Sequence, residues 1–216
     1  MASWIVHLRI ADKILDNIII RNIPQFVVGN IAPDCGDKVE GGYYPPSTIT
    51  HFSSDNNKKN DCDYKRFYRE YIKNEKNPKK ISFYWGYYIH LFTDVLWVNN
   101  ILVGRYYKKY RHVDKKEYML GVRDEAFELE KIFLKDKSSF SYSELCKIKS
   151  FDNIYLDYYK KKQIENKIIY IADFYKKDLI INKFRYIDQE TLTEFIEESS
   201  KIIFDDIKKI FTMREL

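Results

Sequence analysis

The sequence predicts an all-α fold, a multi-helix bundle in which residues 1–216 form a single domain. Apolar residues recur at steps of three and four along most of the chain, which is typical of amphipathic helices. We find no sustained strand alternation bounded by hairpin turns and no linker that would mark a domain boundary. At 216 residues, 45% of them hydrophobic, the chain can bury a core without disulfides or a structural metal.

The first helix is predicted from Ser3 to Ile20, with Ser3 as its N-cap. Its apolar residues share one face: Ile5, Leu8, Ala11, Leu15 and Ile18. A further helical turn or two is expected at Pro24–Gly29. The stretch from Gly29 to Cys62 collects glycines and prolines but keeps aromatic residues, so we expect a long loop that is mostly ordered.

The strongest helical pattern runs from Ile81 to Tyr107. Because it is apolar on most sides, this helix is expected to pass through the middle of the fold. The final helix has Asp188 as its predicted N-cap. This final helix is predicted at Gln189–Met213. The other predicted helices are Asp63–Asn74, Lys115–Lys135, Tyr142–Lys149 and Lys162–Lys177.

Composition excludes several classes of protein. The net charge of +5 comes from 37 basic and 32 acidic residues, which is too weak a bias to predict a stable nucleic-acid complex. Apolar stretches such as Ile168–Ala172 are far shorter than the ~18 residues that span a bilayer, so no transmembrane segment is expected. Arg9 and Asp12 interrupt the first apolar run, which argues against a secretory signal and predicts a cytoplasmic protein.

Three cysteines, Cys35, Cys62 and Cys146, show no CxxC spacing. An odd number without that spacing argues against a disulfide framework and against a cysteine-rich zinc site.

His90 and Asp94 stand four residues apart in the predicted central helix. Side chains at that spacing lie on one helix face, about 5–6 Å apart at Cβ, and can chelate one cation. Gly86, one turn earlier, leaves room on this face for a backbone, a metal or a substrate. An aspartate in so aromatic a helix is costly to bury unless it is paired or coordinated, and a simple Asp–His hydrogen bond is the alternative explanation.

Three more residues are candidates. His7 lies near the start of the first helix, Asp34 between Pro33 and Gly36, and His51 after a Pro-Pro loop. Each has an ordinary explanation: a core or surface histidine, an Asx turn or a loop histidine. Together with His90 and Asp94 they form a set that suits zinc, manganese or iron, and the lack of thiolates favours an open catalytic site.

Four motifs that contain these residues follow one another along the first hundred residues: W-x-x-H-L, G-N-I-A-P-D, P-P-x-x-x-T-H-F and G-Y-Y-I-H-L-x-x-D-x-x-W. In this order they resemble the zinc-dependent phospholipase C family, and more closely its bacterial members without a secretion signal. Beyond Gly104 the resemblance is weaker.

This resemblance implies an all-α fold with clustered zinc ions and hydrolysis of a phosphate ester. Carried over by motif, Asp34, His51, His90 and Asp94 match the ligands of a central metal, and His7 matches a ligand of a neighbouring metal that Asp94 bridges. Fungal single-strand-specific nucleases share this metal arrangement.

Two positions depart from the secreted enzymes. Trp4 follows Met1-Ala2-Ser3 and so cannot supply the free amine of a mature N-terminal Trp unless the chain is cut, and Asn100 stands where another His is expected. We therefore expect one or two zinc ions, with manganese or iron as alternatives. Asp124 and Glu128 share a helix face and could replace the missing ligands, although solvent exposure is the simpler expectation for both.

The leading hypothesis is a metal-dependent, phospholipase C-like hydrolase that acts on phosphate esters, phospholipid among them. A metal at this site would activate water for attack on phosphorus, and Asp34 would act as catalytic base. Tyr43, Tyr44 and one of Tyr87 or Tyr88 are expected to shape the substrate pocket.

Two alternatives remain open on sequence grounds. One is a phosphodiesterase or nucleotidase for soluble nucleotides or single-stranded nucleic acid. The other is a non-catalytic helical domain that keeps a metal for stability or binds a partner.

Overall fold

The computed structural model describes residues 2–53, 61–180 and 183–212, and it confirms the all-α prediction with a helical content of 65%. In the described part of the chain the α-helices are α1 Trp4–Leu15, α2 Ile23–Ile31, α3 Ser47–Thr50, α4 Tyr64–Phe67, α5 Pro78–Trp97, α6 Lys115–Asp136, α7 Phe140–Lys147, α8 Gln163–Phe174 and α9 Gln189–Thr212.

Helix ends follow local capping chemistry. The Ser3 hydroxyl accepts a hydrogen bond from the Val6 amide, and the Asp188 carboxylate accepts one from the Thr191 amide, so both predicted N-caps are confirmed. Helix α1 ends at Leu15, five residues earlier than predicted. Helix α5 starts at Pro78, whose missing N–H costs nothing in the first turn.

Helix α5 is the central element, as its apolar pattern predicts. Residues 82–94 are all buried, and the helix continues beyond Trp97 as a π-helical turn, Val98–Leu102. Helices α1, α2 and α9 pack around it, and the buried apolar side chains form one contiguous cluster.

Helices α2 and α5 touch through two glycines. A Cβ built on Gly29 would lie 2.0 Å from the Phe83 carbonyl oxygen, and one on Gly86 would lie 2.1 Å from that of Phe26. The space that Gly86 was expected to leave is therefore filled by the backbone of α2. This close approach sets the distance between Asn30, near the end of α2, and His90 on α5.

The loop predicted between Gly29 and Cys62 contains a small hairpin that the sequence pattern did not reveal. Strand β1, Asp37–Val39, pairs antiparallel with β2, Gly42–Tyr44, with Lys38 opposite Tyr43. Each strand has three residues, too few for alternation to be recognised. Gly41 permits the turn because its φ is +83°.

Among the helices that the structure describes, none is both long enough and apolar enough to cross a bilayer. Cys35, Cys62 and Cys146 carry free thiols, as the spacing predicted.

Substituting Gly86→Ala should destabilise the protein by about 1–3 kcal/mol, because the new methyl group collides with backbone that cannot move aside as a side chain would. Urea unfolding measures this loss. The control is Gly36→Ala, whose Cβ would lie 3.3 Å from its nearest neighbour, the Pro45 carbonyl oxygen. Equal stability of the two variants would contradict a tight α2–α5 contact.

Candidate metal centre

The structure brings all five predicted residues into one buried cluster. His7 lies in α1, His90 and Asp94 lie in α5, and His51 follows α3. Asp34 ends the 3₁₀ turn Ala32–Asp34, which continues directly from α2. Their side chains are at most 9% exposed.

Local sequence explains how these side chains converge. His90 and Asp94 share a face of α5 at the i, i+4 spacing. The proline in the turn Ala32–Asp34 holds the chain tight after α2, so that Asp34 lies beside α5. The short helix α3 places His51 opposite both carboxylates.

Asp94 lies between the three imidazoles. Its Oδ1 is 3.5 Å from His7 Nε2, and its Oδ2 is 3.5 Å from His51 Nε2 and 3.8 Å from His90 Nε2. The second carboxylate, Asp34, has Oδ1 3.4 Å from His51 Nε2. The rings of His7 and His90 stack with centroids 3.8 Å apart.

These separations suit ligands around a shared cation better than direct hydrogen bonds. N–H···O bonds in proteins measure about 2.7–3.2 Å, shorter than every imidazole–carboxylate distance here. Two ligand atoms on a tetrahedral zinc ion, each about 2.0–2.1 Å from it, lie about 3.3 Å apart.

The cluster also contains an unusual group of polar atoms without partners. Within the described residues, no hydrogen bond reaches either nitrogen of His7, either oxygen of Asp34, or Nε2 of His51 and His90. Buried polar atoms are almost always satisfied, because an unpaired one costs about 1–3 kcal/mol. The donor set of imidazole nitrogens and carboxylate oxygens fits zinc, and the residues present therefore fit the expected metal.

Hydrogen bonds on the far side of two rings fix which nitrogen faces the cluster. His90 Nδ1 lies 2.7 Å from the Asn30 carbonyl oxygen, which can only accept. His90 therefore carries its proton on Nδ1 and presents the Nε2 lone pair to the cluster. His51 Nδ1 lies 2.9 Å from the Thr50 hydroxyl, which can hold that ring in the same tautomer.

Electrostatics keep His90 and the two aspartates in the protonation state that a metal needs. Burial, with His7 next to it, lowers the pKa of His90 to about 3, so this imidazole is neutral at physiological pH. Burial alone would raise the pKa of both aspartates. For Asp34 the imidazoles of His51 and His90 outweigh burial and lower the pKa, and for Asp94 those of His7 and His90 help to hold it well below its usual range.

Three tyrosines support the ligand-bearing turns, and two of them, Tyr158 and Tyr159, lie outside the four motifs. The Tyr159 hydroxyl donates to the Ala32 carbonyl oxygen, two residues before Asp34. The Tyr87 hydroxyl donates to the Thr50 carbonyl oxygen, next to His51, and also contacts the Tyr158 hydroxyl. Sequence reasoning missed Tyr158 and Tyr159 because a chain with 19 tyrosines gives no local signal for these two.

A pocket of about 110 Å³ opens onto the cluster. Its lining includes Asp34 and His51, the rings of Trp4 and Tyr43, and Lys167 of α8. A water molecule needs only about 10–15 Å³ by this measure, so the pocket has room for a small substrate group beside the ligands.

Tyr43 is the predicted pocket tyrosine that the structure places on this lining. The predictions for Tyr87 and Tyr88 are wrong, because both rings are buried in the core around α5. Tyr44 is not among the lining residues either. Its ring lies under Lys160, and its carbonyl oxygen accepts a hydrogen bond from Gln163.

The replacement ligands suggested by sequence are also wrong. Glu128 is neither exposed nor near the cluster: it is buried, pairs with Lys131 at 2.7 Å and accepts the Ile180 amide. Asp124 pairs with Arg123 on the surface side of α6. Trp4 contributes its ring to the pocket, whereas the backbone nitrogen that reaches the cluster is that of Ala2, which donates to Asp94 Oδ1. His112 is exposed, as expected.

In metal-free protein, Asp94→Asn should lower the free energy of unfolding at neutral pH by about 1–3 kcal/mol, because the charged carboxylate attracts the imidazoles and accepts the Ala2 amide. A lowered folded-state pKa stabilises the fold above the ordinary value of 3.8, and this contribution is lost as the pH falls below it. Urea titrations in chelator from pH 7 to pH 3 should show the two proteins converging. Asp205→Asn, at an exposed position, is the control. A difference that widens in acid would contradict this account.

Comparison with known proteins agrees with the cluster. The family model for zinc-dependent phospholipase C matches residues 6–204, well beyond the region around Gly104 where the sequence resemblance weakens. Searches of curated proteins and of solved structures found no match. Because the matched region includes all five cluster residues and most of the chain, this protein belongs to the zinc-dependent phospholipase C family.

Proposed function

We propose that this chain, folded as one domain over residues 1–216, is a zinc-dependent phosphoesterase whose metal ligands are His7, Asp34, His51, His90 and Asp94. The observation that carries the proposal is the set of buried imidazole and carboxylate atoms that face one another without hydrogen-bond partners. A purely structural cluster would satisfy those atoms with direct hydrogen bonds.

The distances suggest how two ions would share the ligands. Two groups of potential ligands lie within 4.8 Å, His7 with His90 and Asp94, and Asp34 with His51 and His90. One Nε2 lone pair binds one ion, so His90 can serve either group but not both. Asp94 can serve two ions, since Oδ1 faces His7 and Oδ2 faces His51 and His90.

The family resemblance decides between the two: Asp34, His51, His90 and Asp94 Oδ2 would hold a central ion, and His7 with Asp94 Oδ1 would hold a neighbouring one. The central site has four protein ligands. The neighbouring site has two, and its Asp94 oxygen also accepts the Ala2 amide. The central site should accordingly bind zinc more tightly.

The chemistry expected is hydrolysis of a phosphate ester. Bound zinc lowers the pKa of a water molecule and stabilises the negative charge that develops on phosphoryl oxygens. Asp34 is placed to act as base, because it lines the pocket and both of its oxygens lack partners. Its lowered pKa keeps it ionised at neutral pH and able to accept a proton from the attacking water.

The residues around the pocket would position the substrate. Trp4 and Tyr43 supply apolar surface against which a substituent of the ester can pack. His51 is held by Thr50, and Thr50 in turn by Tyr87, so the ligand facing the pocket has little freedom to move. Phospholipid is the substrate class that the family suggests.

His90→Ala and Asp94→Ala should each abolish hydrolysis of bis-p-nitrophenyl phosphate and lower the zinc content of the purified protein. Zinc per chain is measured by elemental analysis, and folding by circular dichroism. His112→Ala, which removes an exposed histidine, is the matched control and should keep both properties.

Two results would count against the proposal. Purified wild-type protein that contains no zinc, manganese or iron would refute the proposal of a metal-dependent enzyme. Full activity in folded His90→Ala protein would show that the reaction occurs elsewhere.

A further inference from the structure

Lys167 is a half-buried lysine on the wall of the pocket that contains Asp34 and His51. It projects from α8, in the part of the chain that none of the four motifs covers. Its Nζ lies 5.8 Å from the centre of the Trp4 ring and 5.5 Å from that of Tyr170. Both distances are within the ~6 Å at which a cation and an aromatic ring attract each other, so the two rings favour this position of the ammonium group without neutralising its charge.

Lys167 has no carboxylate partner within 4.0 Å in the part of the chain that the structure describes, whereas a few surface lysines there, Lys147 and Lys176 among them, form such pairs. One zinc ion in the central site would neutralise the charges of Asp34 and Asp94. The remaining formal charge in the pocket lining is then the ammonium of Lys167.

This charge bears on which substrates fit. Quaternary ammonium groups such as choline are recognised by aromatic rings, and a fixed ammonium beside those rings repels them. An anionic substituent, in contrast, is attracted by Lys167 and can pack its carbon atoms against Trp4.

Resting on the proposed function, we propose that Lys167 forms a subsite for an anionic head group, so that the enzyme prefers phosphodiesters whose second substituent carries a carboxylate or phosphate over those that carry choline. Lys167 then determines specificity through the charge of the head group, while the metal ligands act on the reacting phosphorus.

The test uses three p-nitrophenyl phosphodiesters that differ in the second ester group: choline, ethyl or 2-carboxyethyl. Zinc-loaded wild-type protein should show kcat/KM values that rise from choline to ethyl to carboxyethyl. Lys167→Met keeps the aliphatic stem and should lower the carboxyethyl-to-choline ratio about tenfold or more, and Lys167→Glu should lower it further. Lys161→Ala, which removes an exposed lysine outside the pocket lining, should leave the ratio unchanged.

A ratio that Lys167→Glu does not change would overturn the proposal. An equal loss of kcat/KM with all three esters in the Lys167 variants would also overturn it, because Lys167 would then contact the reacting phosphate rather than the head group.

Calorimetry separates this proposal from the proposed function, since it needs no turnover. Zinc-loaded wild-type protein should bind phosphoglycolate and ethylene glycol bisphosphate more tightly than phosphocholine, and Lys167→Met should lose that preference. The relative affinities of the first two ligands distinguish a carboxylate from a phosphate as the preferred anion. Preference without hydrolysis of any ester would refute the phosphoesterase but keep the subsite, and equal affinity for all three ligands would refute the subsite.

Discussion

The glycine contact between α2 and α5 is the constraint on which the rest of the site depends. Because Gly29 and Gly86 lack side chains, the two helices approach until backbone meets backbone. This distance brings the Asn30 carbonyl to 2.7 Å from His90 Nδ1 and thereby fixes the tautomer of the ring. It also sets the position of Asp34 in the turn after α2. One packing contact therefore positions candidate ligands from two separate segments, this turn and α5.

Burying the polar groups of the cluster costs free energy of folding. A fold gains little by burying unpaired imidazoles and carboxylates, since each unsatisfied polar atom costs about 1–3 kcal/mol. The aromatic packing around α5 supplies the rigidity that keeps these groups together, with Phe67 stacked on Tyr87 and Tyr64 on Phe92. A bound cation would recover the cost of burial, which couples the stability of the fold to its metal.

How far the sequence could predict this structure depended on the range of the interactions. Helices such as α6 follow from periodicity, and caps such as Ser3 from the neighbouring residues, so both were predictable locally. The cluster residues were predictable because they belong to recognisable motifs. The burial of Glu128 was not, because it depends on Lys131 and on the distant Ile180 amide. The roles of Tyr159 and Lys167 were not predicted for the same reason. Each residue reaches the site only through tertiary packing, which leaves no periodicity or spacing signal in the sequence.

Charge connects the two halves of the chain. Asp34 and Asp94 contribute two negative charges, and the imidazoles must be neutral to bind a metal, as the low pKa of about 3 for His90 favours. One divalent ion therefore makes the cluster neutral, and a second gives it an excess of two positive charges. Lys167, from α8, adds a further positive charge at the same pocket. With one ion the loaded pocket has a single positive charge, which a phosphodiester carrying one negative charge neutralises. With two ions the pocket has three positive charges, and an excess of two remains after the phosphodiester binds. The excess increases with each ion bound, so metal occupancy and the charge of the preferred head group should vary together.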